Sequence, residues 1–489
     1  MKFRYDAESE QLVVSDATRV EYHQMQLWLT RKVKGWKFHP AVKIGVWDGN
    51  MTFFKNGRIN LGLWKEAMRG CKEIEMPFQL ENKEDFPINR DITLEKVYAF
   101  CREFFKTHKV KKDGEWIPFM PYDHQIDSAY KILKNRYCMA EVATSGGKSL
   151  IISIVMFYTL MNINPDAKFL IIVPSITLVT QFYDNILEYN YGINNLLEMK
   201  EKNSTELSSG HAPCTLRVEE VMSERPRKFS GADNPNVYIG TYQSLDKWPK
   251  EFFEQFHTIA TDEAHGAKAK TITKILEYTF GKAYCRFGVS GTFPMDETCE
   301  ILTIQSVLGP KITEVSADEL KKKGIITPME IRVVVLNHNH KEFSERLKLV
   351  RKSGDGKAAF DFEKSFIHQS DKRLSFIKGL VDKCTNNTLL LFHTIENGQR
   401  IFDKLTREIK DKEFFYIDGE VSGRKREAIK KQMEITKTKV EYTILNFGDY
   451  EVEVKSDYQI LLSNGSYKSA KDITTEDDID DDFIKKIRK

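Results

Sequence analysis

The stretch Ala143-Thr-Ser-Gly-Gly-Lys-Ser149 decides how this chain folds. It stands between a strand-like run at residues 139–142 and an apolar helical run at residues 150–161. In that setting the backbone N–H groups at a helix N-terminus face bound phosphates, the two glycines let the backbone come close, and Lys148 neutralises negative charge. The strict phosphate-loop pattern has glycine where this chain has Val142, so a glycine-containing helix start without a ligand is the alternative.

A second motif, Asp262-Glu-Ala-His265, follows the strand-like residues 258–261. A carboxylate at the end of such a strand can hold Mg²⁺, and the next one can orient and deprotonate a water molecule. Taken alone, an exposed acidic loop explains this motif better. However, Ser290-Gly-Thr292 follows another strand downstream, and three such pieces in this order at strand ends predict a site of ATP hydrolysis.

The rest of the chain predicts an α/β fold in several domains. With 489 residues there is room for about three domains at roughly 150 residues each. The near-continuous apolar run at residues 169–173 is typical of a parallel strand buried on both faces, and residues 237–240 and 286–290 are further strand candidates. A second α/β set is expected after Gly324, with strands at 331–336, 388–392 and 413–417, and residues 439–462 turn to β-rich sequence. Residues 109–121 indicate a linker, and residues 201–236 a mobile insertion.

The first 105 residues predict a small α+β module with strands at 11–14, 42–47 and 51–54 and a closing helix at 94–105. A basic cluster within it alternates with Trp36 and Phe38, and such a cluster favours contact with DNA phosphates. For the aromatic residues, including Trp47, burial in a core is the favoured interpretation because their rings bury so much area. The basic side chains of the cluster are Arg31, Lys32, Lys34 and Lys37.

Composition excludes several classes of protein. Hydrophobic residues make up 41% and charged residues 30%, which is ordinary for a chain that forms a core. The 74 Lys and Arg nearly balance the 71 Asp and Glu, so any nucleic-acid surface must be local. The seven cysteines form no CxxC pair, which predicts reduced thiols and no zinc site. No apolar run reaches the about 20 residues that span a bilayer, so we expect a cytoplasmic protein with no membrane partner.

Together the motifs resemble those of superfamily 2 helicases, in which residues 143–149, 262–265 and 290–292 correspond to motifs I, II (DExH) and III. Residues 172–181 and 240–244 resemble motifs Ia and Ib, and Gln125 is similar to the glutamine that reads adenine, here preceded by His124. The resemblance implies ATP and Mg²⁺ as cofactors. The residues that it assigns to catalysis are Lys148, Asp262, Glu263 and His265, and those that it assigns to the metal are Ser149 and Asp262. The residues assigned to nucleotide binding are Gln125, Thr144, Ser145, Gly146, Gly147, Lys148 and Ser149, and those assigned to coupling are Ser290, Gly291 and Thr292. Besides the basic cluster, the residues assigned to DNA binding are Pro174, Thr177, Thr241, Gln243, His393 and Thr394.

Residues 35–40 and 45–49 narrow the resemblance to the UvsW-type phage recombination helicases, since they resemble the N-terminal DNA-binding module of that family. Residues 391–394 and 416–422 resemble the opening of its second RecA-like domain. The implied fold is α/β, with tandem RecA-like P-loop domains, a small α+β N-terminal module and a short β-rich C-terminal tail. The expected boundaries are 1–108, 109–315, 316–436 and 437–489. The implied activity is ATP-driven translocation on branched or double-stranded DNA, such as Holliday junctions, forks and D-loops.

The sequence departs from that family after Ser422, where motifs V and VI are absent, so the second RecA-like domain is incomplete. Motif VI supplies an arginine to the γ-phosphate, and such an arginine is worth about 10³–10⁵ in rate. The tail weakly resembles a Hint segment without its splicing residues. It is equally explained as part of an interrupted gene, as a divergent β-hairpin or as a truncation.

Three hypotheses follow. The first is an ATP-dependent DNA helicase. The second is an ATP- and DNA-binding module that needs a downstream polypeptide to complete its second motor domain. The third, a packaging or restriction ATPase, is disfavoured because no cluster of nuclease carboxylates follows the motor.

Overall fold

The computed structural model of the chain contains two compact units, Met1–Glu330 and Ile331–Lys489. It describes residues 1–106, 108–112, 115–186, 189, 218–221, 235–295, 298–326, 333–336, 341–352 and 356–419. Beyond these it describes residues 421, 425, 426, 428, 429, 432 and 433 and four strands between 442 and 469.

The N-terminal module is built on a five-stranded sheet in the order β5-β6-β2-β1-β7. All its pairings are antiparallel except that of β1 with β7. A separate hairpin joins β3 to β4. The strands are β1 (Lys2–Asp6), β2 (Gln11–Ser15), β3 (Thr30–Lys32), β4 (Asn50–Thr52), β5 (Phe54–Lys55), β6 (Arg58–Asn60) and β7 (Gln79–Leu80). The α-helices are Arg19–Trp28, Pro40–Lys43, Trp64–Glu73 and Leu94–Phe104, and the 3₁₀ turns are Trp36–Phe38, Leu61–Leu63 and Lys83–Asp85.

The predicted strand at 42–47 is wrong, because the helix Pro40–Lys43 occupies its first residues. Proline is favoured at the first helical position, since it has no N–H to leave unpaired there. The ring of His39 caps this turn by accepting a hydrogen bond from the Ala41 N–H. Gly45, at φ +74°, then reverses the chain.

The first motor domain contains a wholly parallel seven-stranded sheet in the order β12-β13-β11-β14-β15-β10-β16. A hairpin, β8 (Lys109–Lys112) with β9 (Glu115–Pro118), precedes it. The sheet strands are β10 (Tyr137–Val142), β11 (Phe169–Val173), β12 (Val218–Val221), β13 (Val237–Thr241), β14 (Thr258–Asp262), β15 (Cys285–Ser290) and β16 (Lys311–Val315). The α-helices are Asp123–Asn135, Lys148–Asn162, Tyr242–Leu245, Lys250–Phe253, Lys270–Glu277, Cys299–Leu308 and Ala317–Lys322, with a 3₁₀ turn at Ala264–Lys268.

Alternate residues of the sheet strands enter two separate cores. Ala140 and Ile171 pack in one core with the helix Lys148–Asn162, while Met139 and Ile172 pack in the other. That second core also contains Phe3 and other apolar residues of the N-terminal module. The module therefore covers part of one sheet face, and the predicted doubly wound α/β fold is confirmed.

Three local expectations for this region differ from the structure. Residues 109–118 of the predicted linker 109–121 contain the hairpin β8–β9. Within the expected insertion at 201–236, β12 pairs with β13 as the edge strand, and most of the remainder lies outside the described residues. Residues 316–330, expected in the second motor domain, group with the first unit, since Leu320 is fully buried in its core.

The second unit has four described helices, and the last two of them contribute to a small core of its own. The three predicted parallel strands do not form in the parts of 331–336, 388–392 and 413–417 that the structure describes. Val335, Leu389 and Leu391 are 85%, 81% and 82% exposed there. A strand of a parallel sheet needs hydrogen-bonded neighbours, and the sequence changes to hairpin-forming residues before further βα units occur. The helices are Lys341–Lys352, Gly356–Gln369, Asp371–Asp382 and Ile395–Glu408, and the core residues are Leu374, Val381, Ile401, Leu405 and Ile409.

The tail is β-rich, as the sequence predicts. Two antiparallel hairpins pair β17 with β18 and β19 with β20. Their strands are β17 (Tyr442–Asn446), β18 (Glu451–Lys455), β19 (Gln459–Leu461) and β20 (Tyr467–Ser469). Among the helices of the described ranges, none has the length and apolar character that a bilayer crossing requires.

Candidate nucleotide and DNA sites

Three predicted motifs converge at the carboxyl edge of the parallel sheet. β15 lies between β14 and β10, so the loops that follow these three strands are neighbours. Residues 143–149 follow β10. Asp262 and Glu263 lie at the end of β14, and Ser290, Gly291 and Thr292 lie at the end of β15. Ligands of open α/β sheets bind at this edge, where the strand ends leave a crevice.

The loop at 143–149 has the backbone geometry of a phosphate cradle. Gly147, at φ +82°, precedes the buried helix Lys148–Asn162, and Gly146 donates its N–H to the carbonyl of Ala143 at 2.9 Å. A Cβ on Gly147 would lie 2.0 Å from Nε2 of Gln125, and one on Gly146 would lie 2.7 Å from Cγ1 of Val142. Both positions therefore require glycine. The exposed Ser145, at φ +66°, is a non-glycine residue in the left-handed region.

Two buried side chains of the helix Asp123–Asn135 hold this loop from behind. Gln125 donates from Nε2 to the Gly146 carbonyl at 3.1 Å and accepts at Oε1 from the Tyr122 N–H at 2.9 Å. Nε2 of His124 lies 2.8 Å from the same Gly146 oxygen. Its ring stacks on Tyr122, with centroids 5.8 Å apart and an interplanar angle of 14°. The sequence did not predict this contact of His124 with the loop.

A chain of polar contacts links the loop to the other two motifs. Nζ of Lys148 lies 3.1 Å from Oε1 of Glu263, and Oε2 of Glu263 lies 3.3 Å from Nδ1 of His265. That ring nitrogen is 3.0 Å from Oγ of Ser290, which donates to the Thr292 carbonyl at 2.8 Å. A Cβ on Gly291 would lie 3.3 Å from Oγ1 of Thr144 and 3.7 Å from Nζ of Lys148, so the third motif lies against the phosphate loop.

Asp262 has the burial and the unpaired carboxylate oxygen that are typical of a cation ligand. Its side chain is 8% exposed, and its buried Oδ1 has no hydrogen-bond partner among the described residues. Burial, with a smaller contribution from the neighbouring Glu263 carboxylate, raises the pKa of Asp262 to about 6. A buried carboxylate with an unpaired oxygen is costly unless a ligand compensates it.

One carboxylate together with the hydroxyl of Ser149 fits Mg²⁺, which keeps several waters and takes the rest of its ligands from bound phosphates. The described residues contain no cluster of three or more His, Cys, Asp or Glu that would hold a metal by itself. This arrangement therefore fits a metal that arrives with a nucleotide rather than a permanent metal centre.

The basic cluster near residue 34 divides into two parts. The guanidinium of Arg31 is engaged internally, because it donates to the carbonyl of Thr30 at 3.0 Å and lies 3.6 Å from the carboxylate of Glu66. Its assignment to DNA is therefore not supported by its position. Lys34 and Lys37 are exposed. Nζ of Lys32 lies 4.4 Å from the ring centroid of Trp36, and Nζ of Lys37 lies 5.7 Å from it.

The aromatic residues of the cluster do not follow the favoured interpretation throughout. Trp36 and Trp47 are half-buried, as a structural role requires, but Phe38 is 80% exposed. It ends the 3₁₀ turn Trp36–Phe38 in the connection between β3 and β4.

The remaining DNA candidates differ in how they present their side chains. Pro174, after β11, and Gln243, in the helix Tyr242–Leu245, are exposed, whereas Thr177 is half-buried. Thr241 is 4% exposed and caps that helix by accepting from the Ser244 N–H, so its hydroxyl is not presented to a ligand. In the second unit His393 is exposed, and Thr394 caps the helix Ile395–Glu408.

Comparison with known proteins agrees with this geometry. A family model described as the Type III restriction enzyme, res subunit, matches residues 118–295, which is the first motor domain alone. The ATP-dependent DNA helicase uvsW of Enterobacteria phage T4 is 26% identical over 456 residues, or 92% of this chain and 82% of the relative. The crystal structure of T4 UvsW matches 88% of this chain and 77% of that chain, with a TM-score of 0.50 and 20% identity, and so shares the fold.

The match to the phage helicase includes the N-terminal module as well as the motor, because it covers nearly the whole chain. The phosphate loop, the DExH motif and the third motif meet in one contact network on a RecA-like parallel sheet. The chain is therefore similar in sequence to the phage helicase and shares the fold of T4 UvsW.

Proposed function

We propose that the chain is an ATP-dependent DNA helicase or translocase that acts on branched recombination and replication intermediates. The contact network from Lys148 through Glu263 and His265 to Ser290 carries the proposal. The network links Lys148, which faces the phosphates, to residues at the ends of β14 and β15. A change at the nucleotide would therefore alter the loop after β15. Such a link is what a motor needs to couple hydrolysis to movement.

Each residue of the site has a proposed role. Lys148 and the N–H groups of the phosphate loop hold the β- and γ-phosphates, and Gln125 recognises adenine from the back of the loop. Glu263 orients and deprotonates the attacking water, while Ser290 and His265 report the state of that carboxylate to the third motif. Ser149 and Asp262 would hold Mg²⁺, which would neutralise the phosphate charge that develops during hydrolysis.

DNA is the proposed polymer, and branched or double-stranded DNA the proposed substrate. The relative whose sequence matches most of the chain is a DNA helicase. The exposed Lys34 and Lys37 of the N-terminal module, with Gln243 and Pro174 on the first motor domain, are the proposed contacts. Free, mostly buried cysteines and the phage origin of that relative support a place of action in the host cytoplasm.

A second candidate function is that of a motor that needs a downstream polypeptide. The observation that favours it is the exposure of Val335, Leu389 and Leu391, which lie in the segments predicted as buried strands. A polypeptide that carries the absent motifs V and VI would supply neighbouring strands for these segments and an arginine for the γ-phosphate. In that case this chain binds ATP and DNA but turns over ATP only when the second polypeptide is added.

Two substitutions test the nucleotide site. Lys148→Ala should lower ATP turnover by about 10²–10³-fold, because it removes a charge that stabilises the transition state. Glu263→Gln should lower turnover by about 10²–10⁴-fold while ATP binding is retained, because it removes only the base. Turnover and binding of a fluorescent ATP analogue are measured together. Lys250→Ala and Glu254→Gln, on the surface of the same domain, are the matched controls, and unchanged turnover in both site variants would refute the assignment.

A further inference from the structure

The connection between β3 and β4, residues 33–49, forms a lobe of the N-terminal module. Trp36 and Trp47 hold it together from inside. Gly49 is buried against Trp36, and a Cβ there would lie 2.8 Å from that side chain. Nε1 of Trp47 donates to the Asn50 carbonyl at 2.8 Å, and its ring meets His39 edge-on at a centroid distance of 5.1 Å. The lobe thus has a defined shape of its own.

Three of the exposed side chains of the lobe are large and apolar. Phe38, Ile44 and Val46 are 80%, 74% and 77% exposed. They flank the two ends of the single helical turn Pro40–Lys43, and the N–H of Val46 donates back to the Ala41 carbonyl at 2.9 Å. Exposure of three large apolar side chains within residues 38–46 is typical of a surface that binds a ligand.

The surroundings of these side chains indicate a polyanionic ligand. Residues 30–50 contain five cationic side chains (Arg31, Lys32, Lys34, Lys37 and Lys43) and a single carboxylate, Asp48. Lys34, Lys37 and Lys43 form no ion pair with any residue that the structure describes. Exposed apolar side chains interspersed along one loop with these lysines match a base stack with phosphates on either side of it.

The base of the lobe is fixed to the motor domain. Met51 of β4 places its Sδ 3.7 Å from Sγ of Cys299, at the start of the helix Cys299–Leu308. In the same module, a Cβ on Gly62 would lie 1.9 Å from the carbonyl oxygen of Gln305 on that helix. A movement of the first motor domain along DNA therefore carries the lobe with it.

We propose that residues 33–49 form a strand-separating wedge, in which Phe38, Ile44 and Val46 insert between base pairs at the branch point of a DNA junction while Lys34, Lys37 and Lys43 hold the flanking phosphates. The proposal rests on the proposed function and names the element that would open the duplex. Apolar wedges of this kind unstack base steps in other DNA-binding proteins. The wedge would unstack the bases when the chain binds the DNA, so this effect precedes ATP hydrolysis.

The test uses the full chain and forked DNA with 2-aminopurine in the first base pair at the branch, without ATP. A rise in 2-aminopurine fluorescence on binding reports unstacking, and fluorescence anisotropy reports affinity. The wild-type chain should raise the signal at the branch but not when the probe lies in the middle of the duplex arm. Phe38→Ser/Ile44→Ser/Val46→Ser should abolish the rise while the Kd changes by less than about tenfold, because phosphate contacts dominate affinity.

Two control variants separate insertion from other effects. Val20→Ser/Leu27→Ser removes two exposed apolar side chains from the helix Arg19–Trp28 of the same module and should leave the rise unchanged. Lys34→Gln/Lys37→Gln/Lys43→Gln should weaken binding and reduce the slope of log K against log salt by about 0.9 for each phosphate that the protein no longer neutralises. At saturating protein the same variant should still unstack the probe.

Three results would overturn the proposal. The first is a wild-type complex that forms without a rise at the branch, and the second is a rise that persists in the triple serine variant. The third is binding of the wild-type chain to vesicles of phosphatidylglycerol and phosphatidylcholine that the triple serine substitution abolishes, while the same substitution leaves the signal of the DNA probe unchanged. No binding of forked DNA by the wild-type chain would instead refute the proposed function and the wedge with it.

Discussion

Asp262 is the residue on which the account of the metal depends. Its raised pKa means that the folded state holds the proton more tightly than the unfolded state does. Its ionisation therefore lowers the stability of the folded state as pH rises from about 4 to about 6. Above that range, in the absence of Mg²⁺ and nucleotide, the buried charge remains a constant cost.

Asp262→Asn should remove this cost. At pH 7.5 without Mg²⁺ the variant should exceed the wild-type chain in stability by on the order of 2–3 kcal/mol, and below about pH 4 the two should converge. Denaturant unfolding at several pH values measures the difference, and Mg²⁺ with an ATP analogue should stabilise the wild-type chain alone. A difference that does not vary with pH would contradict the role of the buried carboxylate.

At the scale of single elements, the phosphate loop and the start of its helix depend on Gly147. Alanine there would bring its Cβ to 2.0 Å from Gln125 and would keep an unfavourable φ of +82°. Gly147→Ala should therefore displace Gln125 from the loop and weaken ATP binding by about tenfold or more, which corresponds to about 1.4 kcal/mol. Isothermal titration with an ATP analogue measures it.

Gly379→Ala is the matched control for that variant. Gly379 lies inside the helix Asp371–Asp382 with open space around the position of a Cβ, so alanine should leave ATP affinity unchanged and favour the helix slightly. Equal ATP affinity in both variants would show that the space behind the loop is unimportant.

The elements differ in how far their sequence predicts them. β11 is a continuous apolar run of five residues, and such a run is typical of a parallel strand that is buried on both faces. The phosphate loop and the DExH motif are short and local, so their place at the strand ends was also predictable. By contrast, residues 42–47 contain Val, Ile and Trp typical of a strand, yet Pro40 and the His39 cap begin a helical turn there.

Contacts between distant parts of the chain could not be predicted from local patterns. The clamp of His124 on Gly146 depends on how the helix Asp123–Asn135 packs against the phosphate loop. The internal use of Arg31 depends on Glu66 in a later helix. The segments 388–392 and 413–417 resemble strands by composition, but strand formation requires neighbours that the described part of the second unit does not contain.

At the scale of the whole molecule, the N-terminal module and the first motor domain share a buried ion pair. Arg286, at 1% exposure in β15, contacts the carboxylate of Glu10, at 2% exposure in the module, and Arg286 Cζ lies 4.5 Å from the ring centroid of Phe280. Glu10 also accepts at 3.1 Å from the N–H of Gly281. The module is thus anchored to the strand that ends in Ser290.

Breaking this pair should destabilise the first unit more than removing both charges. Glu10→Gln should cost about 3–5 kcal/mol, because it leaves a buried guanidinium unpaired, and Glu10→Gln/Arg286→Met should recover part of that loss. Thermal unfolding measures both. Arg58→Gln, which removes an exposed partner of Asp6, is the control and should cost less than about 1 kcal/mol. Losses that simply add would argue against an energetically coupled interface.

The central claim is that this chain is a motor driven by ATP and responsive to DNA. Its most direct test is steady-state ATP turnover by the purified 489-residue chain with Mg²⁺, alone and with forked DNA. The account predicts turnover that DNA stimulates by about tenfold or more, which is a transition-state gain of about 1.4 kcal/mol or more. Lys148→Ala should lower this turnover by about 10²–10³-fold. Binding of both ATP and forked DNA without turnover would contradict it and would identify the chain as a module that a second polypeptide must complete.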